Sequence, residues 1–263
     1  MTGFRASSLA LHPQAPDKVA APVREMGFAG VEFLCEPPWH PAAWWGELVR
    51  RVRATGSEFS VHAPVVDVNL MSPHPGVRAL AEAEILASVR LAAEIGAGEV
   101  TFHLGYRPRA GVGHDPPWEA AFDAVHRLGR ASEGLGVALC LENDPRLHGA
   151  YLWDLVRYQA VLGELGLLGT FDLGHAWISH REETISHLPS LVPQLRVVHL
   201  HDNHGTKDEH LAVGMGAIPW DRLWELVRRV PVKVVEVNDP AALERSRRWI
   251  ASSDGRRSGG GEA

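Results

Sequence analysis

From residue 4 to residue 237 the chain alternates short apolar runs with longer segments of helical periodicity, and the alternation repeats eight times. The runs fall at 4–10, 30–35, 59–63, 99–104, 137–142, 168–173, 196–201 and 232–237, and they are rich in Val, Leu and Phe. Strands of that composition are covered on both faces, as in a parallel sheet flanked by helices. The clearest helical segment runs from Val77 to Ile95, where Leu80, Ile85, Val89 and Ala92 are expected to form one apolar face. Gly96 follows that segment and precedes the next run, the usual place for a helix terminator. Pro-Trp pairs at 117–118 and 219–220 sit near two further helix starts. Alternation on this scale predicts an α/β fold with a parallel sheet. No G-x-G-x-x-G follows the first run, so a dinucleotide-binding doubly wound sheet lacks its signature. Eight units within about 250 residues favour a closed (β/α)8 TIM barrel instead, a single domain over 1–251. Residues 252–263, SSDGRRSGGGEA, have nothing to bury and are expected to form a disordered C-terminal tail.

Composition excludes several classes. Hydrophobic residues make up 45% and charged residues 22%, the balance of a globular protein. No stretch approaches the roughly 20 apolar residues that span a membrane, and no basic segment followed by an apolar run opens the chain. Two cysteines, Cys35 and Cys140, make no disulfide framework, so a reducing cytoplasm is the expected compartment. A formal charge of −6 gives no global attraction to phosphate backbones, which disfavours nucleic acid as a partner. Assembly into a homo-oligomer is left open by these numbers.

The 15 histidines matter through their positions. Metal-binding residue types close one run after another. The third ends in His62, the fourth in His103, the fifth in Glu142, and the sixth in Asp172 with His175 just beyond. The seventh carries His199 and His201 on one face, the eighth ends in Glu236, and the intervening loop adds Asp208 and His210. A lone histidine in an apolar strand is more often a hydrogen-bonded core residue. Six successive runs ending this way are different, because all strand ends of a barrel converge on the face that carries active sites. Burying so many charges without a counter-cation is costly, and a metal resolves the cost. Mixed imidazole and carboxylate shells suit Zn2+, Mn2+, Fe2+ or Co2+ better than Mg2+ or Ca2+. The candidate ligands outnumber the needs of one ion, so either several bind or some residues contact substrate. Trp39 and Trp177 could line a pocket, Arg107 and Arg109 could hold a phosphate, and Gly214 and Gly216 could let backbone approach a ligand. Each is as readily packing, solvated charge or a plain turn.

The strings HAPVVDVNL (62–70), AAEIGAGEVTFH (92–103), LEND (141–144), FDLGHA (171–176), HLHDNHGTKDEHLAVGMGAIPW (199–220) and EVN (236–238) resemble the xylose isomerase-like TIM barrel superfamily. The resemblance covers nearly the whole chain and is nearest to the bacterial sugar phosphate isomerase/epimerase group. It implies one metal, Mn2+ or Zn2+ with Co2+ or Fe2+ as alternatives, held by Glu142, Asp172, His199 and Glu236. Glu142 and Glu236 would also exchange the proton, while His175, His201, Lys207 and Trp39 would contact a sugar or sugar phosphate. The chain also resembles endonuclease IV, whose three-zinc ligand set matches His62, His103, Glu142, Asp172, His175, His199, Asp208, His210 and Glu236. One to three ions are therefore implied. Two departures disfavour DNA cleavage. Pro64, Val65 and Val66 stand where that enzyme carries a duplex-inserting aromatic residue, and EPPWHP (36–41) lacks polar and basic groups for a groove.

Overall fold

Eight parallel strands close into a barrel in the computed structural model, which describes residues 3–12, 14–107, 115–147 and 149–258. In chain order they are β1 (Phe4–Ser7), β2 (Gly30–Leu34), β3 (Glu58–His62), β4 (Glu99–Phe102), β5 (Ala138–Glu142), β6 (Leu168–Asp172), β7 (Leu195–Leu200) and β8 (Val232–Val235). Each pairs with its sequence neighbour, and β8 returns to β1 through Phe4, Arg5 and Ala6. The helices are α1 (Ala20–Glu25), α2 (Gly46–Ala54), α3 (Pro75–Ile95), α4 (Trp118–Gly134), α5 (Leu155–Leu165), α6 (Leu173–His180), α7 (Glu182–Leu191), α8 (Trp220–Arg229) and α9 (Pro240–Ser258). None of them, among the described residues, is long and apolar enough to cross a membrane.

The expected (β/α)8 barrel is the observed one, and each expected run contains a strand. The first is shorter than expected because Ser8–Leu11 turn into a 3-10 helix, with Ser7 Oγ accepting from the Leu9 amide. Helix α3 ends where Gly96 takes φ 78°, a conformation that a Cβ would disfavour. Its buried face is Ala81, Ile85, Val89 and Ala92, whereas Leu80 is exposed, so the expected face is rotated by one position at its start. Helices α4 and α8 begin at Trp118 and Trp220, each behind its proline. The expected tail is corrected over 252–258, since α9 runs through Ser258. Ser253 is buried there, and Trp224 Nε1 donates to Asp254. Residues 259–263 lie outside the described residues.

Side chains from non-adjacent strands meet across the barrel, which identifies the inward positions. At the lower end Glu99 binds Arg5 at 2.7 Å and Arg196 at 2.9 Å. Above it Thr101 and Thr170 share a 2.8 Å hydrogen bond, and Cys140, Val197, Val232 and Val234 form a small apolar cluster of their own. Both cysteines are free and buried. The larger apolar core lies outside the strands, against the helices: Phe4 stacks on Trp224, and Phe33 packs on Trp39, Trp44 and Phe59. Glu99 is 1% exposed, so deleting its carboxylate strands two guanidinium groups at the barrel floor. Glu99→Ala should lower unfolding free energy by about 3 kcal/mol in urea denaturation, and a loss under about 0.5 kcal/mol would contradict the assignment.

Candidate metal centre

The barrel mouth is built by strand geometry. Inward positions recur every second residue, so His62, Glu142 and Asp172, each the last residue of its strand, turn toward the axis, with His103 one step beyond β4. His199 lies on β7 directly beside Asp172, and Glu236 follows β8. Helix α6 starts at once, because the Asp172 side chain caps it by accepting from the His175 amide at 2.6 Å. That cap swings His175 over the mouth. The loop after β7 closes on a two-bond bridge between Asp202 and Leu211 and carries Asp208 and His210 inward. His210 adopts φ 47°, unusual for a side chain with a Cβ, and its Nδ1 lies 3.1 Å from the Glu236 carbonyl.

All nine ligand-type residues named from sequence are thus brought to one place. One ligand atom each from Glu142, Asp172, His199 and Glu236 lies within 4.8 Å of the others, as do those of His175, His201, Asp208 and His210. A third such group, His62, Glu142 and His199, shares residues with the first. His199 Nδ1 stands 3.2 Å from Glu142 Oε1 and 3.1 Å from Glu236 Oε2. Asp172 Oδ2 and Asp208 Oδ1 are buried with no hydrogen-bond partner. Orphaned acceptors of this kind are rare in folded proteins and fit a cation better than a void.

Four of the histidines have one nitrogen committed elsewhere. Nδ1 of His62 lies 2.7 Å from the Ala63 carbonyl, that of His103 lies 2.8 Å from Asp144 Oδ1, and that of His175 lies 2.9 Å from the Asn143 carbonyl. Together with His210, these four therefore present Nε2 to the mouth, while His199 presents Nδ1. Fixed tautomers with one free nitrogen are what metal ligation requires.

Electrostatics agree. Burial opposes charging His103, but Glu142 and Asp144 override it and lift its pKa to about 10. Burial is likewise overridden at His210, chiefly by the hydrogen bond to Asp208, giving about 9. His175 and His199 are also held well above the usual imidazole range by carboxylates that outweigh burial. Burial would raise Glu142, Glu236 and Asp208, yet the surrounding histidines hold all three well below the carboxylate range. Protons on imidazole thus occupy the role that a divalent ion can take.

Other expectations are corrected. His201 is buried behind the site, with Nε2 3.1 Å from Asp172 Oδ1 and its ring stacked 4.1 Å from His210, so it orients ligands and does not line the cavity. A Cβ on Gly174 would collide with that ring. Trp39 is 3% exposed and packs against Phe33 and His12 outside the barrel, away from the cavity. Trp177 is buried as well. Lys207 is exposed and is not among the cavity-lining residues. Arg107 lies over the Tyr151 ring, and Arg109 falls outside the described residues. Gly214 and Gly216 belong to a turn organised by Asp202, which accepts from the Gly214 and Ile218 amides and from Trp220 Nε1. Sequence reasoning missed Asp202, Asp144 and Glu32. The last is an acid between Val31 and Phe33 in an apolar run, and that inward polar break was its only signal.

The cavity above the ligands measures about 370 Å3, in the range of small-molecule sites. Its walls are Leu9, Leu34, Val65, Val68, Tyr106 and Leu147, and no Lys or Arg lines it among the described residues.

A family model described as Xylose isomerase-like TIM barrel matches residues 20–253. The chain belongs to that family. Among curated relatives, the uncharacterized protein MJ1311 of Methanocaldococcus jannaschii is 27% identical over 236 residues, 86% of this chain and 80% of the relative. The probable endonuclease 4 of Mycobacterium leprae is 26% identical over 217 residues, 74% of this chain and 80% of the relative. A solved structure of a D-tagatose 3-epimerase-like protein superposes with a TM-score of 0.86 at 23% identity, covering 97% of this chain and 98% of that one. That likeness carries the fold.

The sign of the pH response in this xylose isomerase-like barrel follows from the shifts. The raised histidines stabilise the metal-free fold fully below pH 6.5 and lose that contribution as pH rises through about 9 and 10. The depressed carboxylates contribute above 4.5 and lose it as pH falls. The melting temperature of metal-stripped protein should therefore fall from pH 6.5 toward 10, while apparent affinity for Zn2+ or Mn2+ rises as protons leave. Metal affinity independent of pH over that range would contradict this electrostatic picture.

Proposed function

We propose that the chain is a divalent metal-dependent isomerase or epimerase acting on a sugar or sugar phosphate. The observation that carries this reading is the placement of Glu142 and Glu236. Each has a carboxylate oxygen within hydrogen-bonding distance of the same nitrogen, His199 Nδ1, at the floor of a cavity of small-molecule size. Glu142, Asp172, His199 and Glu236 would hold one ion, Mn2+ or Zn2+ by donor chemistry, with Co2+ or Fe2+ also compatible. When bound, it would polarise the carbonyl and neighbouring hydroxyl of a ketose. One glutamate removes a proton from the carbon beside the carbonyl, and that carbon becomes planar. The other glutamate returns a proton to the opposite face, inverting the centre with no net change in charge or oxidation state. His62, His103 and His175 lie above the floor, where hydroxyl groups would reach them. The D-tagatose 3-epimerase-like neighbour supports the substrate class by analogy of fold.

A second reading has one specific observation behind it. His175, Asp208 and His210 join His201 in a further cluster able to hold a metal, and the chain is similar to a probable endonuclease 4. A metal-dependent phosphodiesterase would use such a cluster. The cavity walls weigh against it, because among the described residues no Lys or Arg lines them to meet a phosphate backbone.

The test is deuterium incorporation from D2O into a panel of ketoses and their phosphates, with abasic-site DNA alongside. Glu236→Gln should reduce exchange by about 10²- to 10⁴-fold with circular dichroism unchanged. Full exchange in a folded Glu236→Gln protein, or DNA cleavage without any sugar turnover, would overturn the proposal.

A further inference from the structure

Glu32 stands beneath the metal cradle and has no role in the reaction described so far. It projects inward from β2, and its carboxylate is 1% exposed. Its Oε1 lies 2.9 Å from His199 Nε2, across the lumen on β7. Neither Glu32 oxygen makes an aligned hydrogen bond, nor does that Nε2. The flanking partners in register are Ser7 and Ser60; Ser7 Oγ is engaged by the Leu9 amide, and Ser60 Oγ is itself unpartnered. An acid buried this deeply is costly unless a donor or cation faces it. The donor within reach is the imidazole N–H of His199.

His199 also differs from the other candidate ligands. His62, His103, His175 and His210 all commit Nδ1 to a carbonyl or to Asp144 and present Nε2. His199 presents Nδ1 to Glu142 and Glu236, so its proton must reside on Nε2 for that nitrogen to ligate. Among the described residues no backbone carbonyl accepts from its Nε2. Without an acceptor there, the tautomer with the proton on Nδ1 would close the cradle to a cation.

We infer that Glu32 is a positioning residue that fixes the His199 tautomer: by accepting from Nε2–H it leaves Nδ1 free for a divalent cation. The inference rests on the metal-binding part of the proposed function and not on the identity of the substrate. The 2.9 Å separation is within hydrogen-bonding reach. The same carboxylate adds negative charge behind the ring and makes Nδ1 a stronger donor to the metal.

The test uses the full chain, stripped of metal and titrated with Mn2+ and Zn2+ by calorimetry, as wild type, Glu32→Gln and Glu32→Leu. Glu32→Leu should weaken the site containing His199 by about 10- to 100-fold, with Glu32→Gln in between. A merely structural role would not move a second readout. In the Zn2+-loaded wild type, 15N-histidine spectra should show one ligand histidine bound through Nδ1 with an exchange-protected Nε2 proton, the others being bound through Nε2. That signature should be lost in Glu32→Leu. Should Glu32→Leu fail to fold, Glu32→Gln and the wild-type spectrum still decide the matter. Unchanged affinity in a folded variant, or no Nδ1-bound histidine in the wild type, overturns the inference while leaving the proposed function standing. A wild type that takes up no divalent ion overturns both. Metal uptake with the expected spectrum but no sugar turnover overturns only the proposed function.

Discussion

Four carboxylates converge on one imidazole. Glu32, Glu142, Asp172 and Glu236 all reach within 3.9 Å of His199, and all are buried. No arrangement of that kind is stable without positive charge at its centre, because the desolvation of several anions exceeds what hydrogen bonds return. The surrounding carboxylates outweigh burial and hold His103, His175 and His199 above the usual imidazole range, so the site favours positive charge. The rest of the upper barrel follows from this demand. The Asp172 cap, the Asp202 bridge and the carbonyls behind His62, His175 and His210 all serve to hold charged or polar atoms that would otherwise relax apart.

The lumen divides the labour along the barrel axis. At the floor Arg5 and Arg196 are balanced by Glu99 and Glu58 and stay a structural plug. Cys140, Val197, Val232 and Val234, with the hydrogen-bonded pair Thr101 and Thr170, line the lumen between that plug and the mouth. The mouth itself gathers the ligand types and the acceptors that hold them. Two ion clusters thus occur on the same strands with opposite outcomes: balanced guanidinium and carboxylate below, excess carboxylate and imidazole above. Orphaned oxygens on Asp172 and Asp208 separate a site from a salt bridge.

Much of this was legible in the sequence. The eight runs located the strands because strands covered on both faces read as continuous apolar stretches, and ligand types at run ends could only converge if the barrel closed. What failed has physical causes. Trp39 packs on Phe33 and His12 and the loop after β7 turns Lys207 outward, while His201 shares the inward face of His199 but is held against Asp172 and His210. Glu32 and Asp144 went unread because their task is to hold a histidine from behind, which no spacing rule reveals. The small and polar residues from 252 give no apolar signal, yet Ser253 is buried and Asp254 accepts from Trp224 Nε1 as α9 continues.

Metal content decides whether this mouth is a divalent metal centre. Mass spectrometry on protein purified without an affinity tag should find at least one Mn, Zn, Co or Fe ion per chain, about one if sugar chemistry is the function. Protein that carries none, and takes up none on titration at neutral pH, would contradict it.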